Sequence, residues 1–185
     1  MSFDLIQPDT AIFMKAGFHG EEDLDRIVRR KKAEIATVGY CFWGYGGNLC
    51  HPTRAIHPFL DTIPHKAIPV LFIPTPSPFF SSGVPATEYS VDGRAWQPIP
   101  SGISVLASSK ALILDSLNLV NATVDSSRYE ISFGPSTGRS LTSYLQKRVD
   151  KAMATRVNDF IDRIPSLLKI GIVGILAEPY AVMIR

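Results

Sequence analysis

The sequence predicts an α+β fold: a mixed, mostly antiparallel sheet with helices packed on it, forming a single compact domain over residues 1–185. Three observations carry this reading. Short apolar or alternating runs recur along the chain, one long stretch near the N-terminus has helical spacing, and Asp92-Gly93 sits between two alternating segments. With 185 residues, 45% of them apolar, the chain can bury a core without metal or disulfide support.

Taken in order, Thr10 to Phe18 reads as a first strand that Gly20 ends. Leu24, Ile27, Val28, Ile35 and Val38 recur every three or four residues, so Glu21 to Val38 is an amphipathic helix that Gly39 stops. Tyr40 to Trp43 is a second short strand. A short helix from Pro52 to about Asp61 follows, proline being tolerated in a first turn. Ala67 to Ile73 is a buried strand. The proline-rich stretch from Pro74 to Pro85 is too long for a simple connector; Phe79 and Phe80 within it serve as packing anchors or as a lid. Glu88 to Ile99 forms a hairpin about Asp92-Gly93. Ile103 to Leu106 and Ala111 to Leu114 are strand-like, with a helix over Lys110 to Val120 as the alternative. Tyr129 to Phe133 is a further strand. A long helix starts near Ser140, with Leu141, Tyr144, Leu145, Val149, Ala152 and Met153 inward, and Pro165 ends the helical region. Two apolar strands turning near Glu178-Pro179 close the chain.

Charge excludes little and suggests little. Nineteen basic and seventeen acidic residues give +2, too near neutral to imply nucleic acid. The run Arg29-Arg30-Lys31-Lys32 follows acidic residues along the same helix, the order the helix dipole favours, and reads as a solvated helix end. With 19% charged residues the surface is sparse in charge, which suits a homo-oligomer. Residues Leu167 to Ile184 are interrupted by Lys169, two glycines, Glu178 and Pro179, so no membrane span is expected and a cytoplasmic location is. Four histidines and two cysteines lie in the first 65 residues, but not at the tight spacings of zinc sites. No metal and no cofactor is expected.

Residues 41–54 concentrate the chemistry: Cys41-Phe42-Trp43-Gly44-Tyr45-Gly46-Gly47-Asn48-Leu49-Cys50-His51-Pro52-Thr53-Arg54. A ligand cradle would use Trp43 and Tyr45 as ring platforms and the amides of Gly46 and Gly47 as donors. Asn48 and His51 would line it, and Arg54 would pair with a phosphate or carboxylate. The competing reading is a sharp turn whose aromatics fill the core. A second loop, Gly134-Pro135-Ser136-Thr137-Gly138-Arg139-Ser140, again follows a strand and precedes a helix. Ser136, Thr137, Gly138 and Arg139 would form its anion nest, against an ordinary helix cap worth about 1 kcal/mol. Three residues between its glycines, then arginine, rule out a P-loop. If both loops open on one sheet edge, Arg54 and Arg139 hold a diphosphate while an aromatic stacks a base.

The expected function is binding or sequestration of a small anionic, ring-bearing ligand, a nucleotide or nucleotide-derived molecule first. A hydrolase or transferase with His51 as acid–base is the alternative, and Cys50, Thr53 and Ser136 are the candidate nucleophiles. A protein-interaction module using the apolar C-terminal stretch and the proline-rich loop is the third reading.

Overall fold

The computed structural model describes residues 4–17, 22–46, 50–63, 67–76, 84–106, 108–146, 150–158 and 164–185. Strand outweighs helix, 46% to 21%, and the sheet mixes parallel with antiparallel pairs. The chain divides into two units: Met1–Ala16, Ile68–Pro74 and Asn118–Val173, and then Gly17–Ala67, Thr75–Leu117 and Gly174–Arg185. Two long strands, β7 (Lys110–Asp125) and β10 (Leu167–Ile184), contribute residues to both.

In the first unit β1 (Asp4–Leu5) runs parallel to the later half of β7. β2 (Thr10–Ala16) pairs parallel with β4 (Pro69–Pro74) and antiparallel with β9 (Lys151–Arg156), which also pairs with β8 (Tyr129–Ile131). Ala11 to Phe13 and Val70 to Phe72 are buried without alternation, as in strands covered on both faces. Phe13, Leu71, Tyr129, Leu141 and Ile170 belong to one core cluster, with Phe13 edge-on to Tyr129 at 5.2 Å.

Here one sequence expectation fails. The helix after Ser140 is only five residues long, α3 (Leu141–Leu145), and residues 151–156 are strand. Leu141, Tyr144 and Leu145 are buried as expected, while Val149 lies outside the described residues. Lys, Ala and Met favour helix locally, but β9 lies between β2 and β8, which satisfy its backbone on both edges.

The second unit holds α1 (Leu24–Val38), which stops where the sequence predicts but starts three residues after the expected Glu21. Asp23 accepts from the Arg26 amide at 2.8 Å, and Gly39, at φ +92°, donates back to Ile35 O. The basic run on α1 is not merely a solvated face. Arg29 and Lys32 are exposed, but Lys31 and Glu34 are buried and paired at 2.9 Å. Lys31 Nζ also donates to Ser104 O, and Glu34 accepts from the Ser104 amide, so the pair anchors an extended segment.

β3 (Cys41–Tyr45) pairs antiparallel with the first half of β7, and β5 (Glu88–Ser90) pairs with β6 (Gln97–Pro98) and with the end of β10. The hairpin at Asp92-Gly93 is present: Gly93 has φ +77°, and Asp92 accepts the Arg94 and Ala95 amides. Residues 110–120 are strand, not the alternative helix. Ile103 to Leu106 contributes only a bridge from Leu106 to Pro85. The C-terminal apolar stretch is a single strand rather than two; Glu178–Pro179 is cis, and Tyr180 follows at φ +68°.

Candidate functional site

Register places Tyr45 opposite Lys110 and Trp43 opposite Leu112, so these four side chains share one face of the β3–β7 pair. Phe42 points the other way, into the cluster with Val105, Ile113 and Val182, edge-on to Tyr89. Gly44 is there for packing: a Cβ would meet Ser108 Oγ at 2.8 Å and Val105 Cγ2 at 2.9 Å. Gly46 is exposed, with open space about it, while Gly47 and Asn48 lie outside the described residues.

The aromatic residues serve differently from ring platforms. Trp43 is 8% exposed and Tyr45 5%. The Tyr45 hydroxyl donates to Cys50 O, and burial pushes the phenol up, so it stays a donor. That bond ties the end of the loop to the end of β3. Cys50 itself is buried in a left-handed conformation, φ +57°. Cys41 is buried too, and burial pushes its thiol up to about 12, which makes it an inert core side chain.

Beyond Cys50 the chain enters a wide π-type turn (Pro52–Ile56) that continues into α2 (His57–Asp61). His51 O accepts from the amides of Arg54, Ala55 and Ile56. Its imidazole Nδ1 lies 3.1 Å from Thr53 Oγ1, and Nε2 has no hydrogen-bond partner among the described residues. Burial holds the His51 imidazole below its ordinary value, and Lys110, Arg54 and His57 each add repulsion. No acid appears among those influences. The Arg54 guanidinium is exposed and makes no hydrogen bond or ion pair among the described residues. Lys110, by contrast, is buried.

His57 Nε2 lies 3.0 Å from Pro179 O and 3.1 Å from Ala181 O, two acceptors, so this nitrogen carries the proton. Between those carbonyls sits Tyr180. Cys50 and Tyr180 are the non-glycine residues with positive φ among the described residues. Such a conformation costs about 1–2 kcal/mol for an L-residue. Both strained residues therefore flank a histidine of the same cluster. Tyr180 is half-buried, donates to Glu178 at 3.2 Å, and is the partly exposed ring next to the His57 contacts.

The 134–140 segment, in the first unit, closes on itself. Thr137 N and Thr137 Oγ1 both donate to Gly134 O, Gly138 N to Ile131 O, and Arg139 N to Ser136 O. Gly134 and Gly138 take φ +93° and +80°, and Ser140 makes no side-chain cap to α3. Ser136 is half-buried, and Arg139 is exposed with no side-chain partner among the described residues. Three of the amides expected to face an anion are thus committed to carbonyls of the turn.

From the sequence, His57, which precedes Pro58, reads as structural or exposed, and neither Lys110 nor Tyr180 stands out. Lys110 left one trace, a charge directly before the apolar run Ala111 to Leu114. His19, His65, Phe79 and Phe80 lie outside the described residues. Among the described residues, no three His, Cys, Asp or Glu side chains group as metal ligands, and no helix is long and apolar enough to cross a membrane. No protein-family model, curated protein or solved structure matches the chain.

Proposed function

We propose that this chain binds a small anionic ligand, a nucleotide or nucleotide-derived molecule first, at the cluster of His51, Arg54, His57 and Lys110. One observation carries the reading: Arg54, whose guanidinium has no partner among the described residues, lies close enough to His51 to oppose its charging, as does Lys110. Bringing like charges together is unfavourable unless a negative charge joins them. Ring recognition falls to Tyr180, because Trp43 and Tyr45 are buried. The 134–140 loop offers Arg139 as its available cation. We read the protein as a cytoplasmic binder, and its sparse surface charge suits a homo-oligomer.

A panel of nucleoside mono-, di- and triphosphates tests the reading by thermal shift. A ligand at a hundred times its Kd stabilises by about 2.7 kcal/mol, or roughly 5–10 °C for a chain of this size. If no member of the panel raises the Tm, nucleotide binding is ruled out.

The enzyme reading has its own support: a neutral imidazole with Nε2 unengaged can accept a proton. Turnover of a bound nucleotide that disappears in His51→Ala would establish it. Stoichiometric binding without product would leave sequestration.

A further inference from the structure

We infer, resting on the reading of Tyr180 as the ring platform, that His57 is a positioning residue: it holds Tyr180 in the backbone conformation that presents its ring to the planar base of a nucleotide. Tyr180 lies within β10, yet its φ is +68°. A left-handed residue inside a strand makes the kind of β-bulge that glycine usually occupies, because a Cβ is disfavoured there. The burial pattern breaks at the same point. Ile170, Ile172, Gly174 and Leu176 alternate with less buried neighbours, whereas Ala181 and Val182 are buried in succession. Bulges bend a strand, re-aim a side chain and recur beside functional sites.

His57 is placed to hold a tyrosine where glycine fits better. Its Nε2–H lies 3.0 Å from Pro179 O and 3.1 Å from Ala181 O, the carbonyls of the residues on either side of Tyr180. Two residues of extended strand span about 6.8 Å, farther than one donor at those distances can bridge. The shared donor therefore requires the kink, and straightening β10 would break at least one of the two bonds. The histidine stands on a fixed support, since Ile56, Phe59 and Leu60 around it are buried. The ring so placed is half-buried, and its hydroxyl donates to Glu178 at 3.2 Å, which restrains it and leaves stacking as its contribution.

Two measurements test this, the first without ligand. Tyr180→Gly and Tyr180→Ala both remove the ring and differ in backbone preference. In the parent the glycine variant should melt higher than the alanine variant, by roughly 2–6 °C. With His57→Ala added, that order should vanish or reverse. The second probe is ADP, which joins a planar base to a diphosphate. Tyr180→Ala should raise its Kd about tenfold, the scale of one stacked base. His57→Ala should raise it as much, and the double variant no further. His57→Gln, whose amide can donate to both carbonyls, should restore the affinity, and His57→Phe should not. Losses that add in the double variant would mean that His57 acts on ADP directly, and the positioning role would be overturned. A glycine–alanine order unchanged by His57→Ala would overturn it as well, even with ADP bound. If ADP leaves the Tm of the parent unmoved, the ring platform falls with the nucleotide reading, and the melting order still decides whether His57 holds the bulge.

Discussion

The 43–54 and 134–140 segments look alike as sequence, each running from a strand through glycines towards a short helix with an arginine nearby; their hydrogen bonds separate them. In the second segment the turn satisfies itself: the amides of Thr137, Gly138 and Arg139 all donate to carbonyls within residues 131–136. In the first, a buried tyrosine fastens the loop end; Arg54, like Arg139, has no guanidinium partner among the described residues, but it acts on His51, whose Nε2 is also without one there. Glycine beside arginine therefore does not by itself show that donors remain for an anion. What matters is whether donors are left over once the turn has closed.

The comparison can be broken most sharply at the ligand. Arg54→Ala should weaken nucleotide binding by about tenfold or more, the scale of one charge-assisted hydrogen bond, whereas Arg139→Ala should change it less than about twofold by the same reasoning. Titration calorimetry on both variants decides. Equal losses would restore the 134–140 turn as a binding element.

Stability sharpens it next. Gly44→Ala should cost about 1–3 kcal/mol, because the added methyl overlaps Ser108 and Val105. A parallel denaturant curve at the parent midpoint would show that close packing does not fix this glycine. A smaller contrast separates Gly138 from Gly46. Gly138→Ala forces φ +80° on an alanine and should cost about 1 kcal/mol, whereas Gly46→Ala enters open space and should be close to neutral.

The smallest effect is the acid dependence of His51. Its folded value is lowered by burial and by Lys110, Arg54 and His57. As pH falls below the ordinary histidine value, the unfolded chain therefore takes a proton that the folded chain resists. Stability is lost through that window, down to the lowered folded value. His51→Gln should remove the loss, so its Tm relative to the parent should rise on going from neutral to mildly acidic buffer. A difference that stays flat, or falls, would mean that the surrounding charges do not act on this ring.

Much of the framework was legible because its signals are local. Gly39 stops α1 through a hydrogen bond back to Ile35, four residues earlier, and Asp92-Gly93 makes its turn in the same local way. The same locality misled at residues 151–156, where helix-favouring side chains form a strand held by β2 and β8. Lys31 was misplaced for a related reason: its partner Glu34 is close in sequence, but Ser104, which the pair anchors, is not. Of the candidate site, His51 and Arg54 could be picked out from their own loop. Lys110, opposite Tyr45 across a strand pair, could not.

By itself the sequence determined the caps, the tight turns and most of the apolar runs that become strands, because these depend on backbone preferences and side-chain spacing over a few residues. Only the tertiary structure decided which strands pair, how the 134–140 turn spends its amides, and that Lys110, from a distant strand, acts on His51. Those outcomes rest on register and burial, and on charge between groups scores of residues apart along the chain.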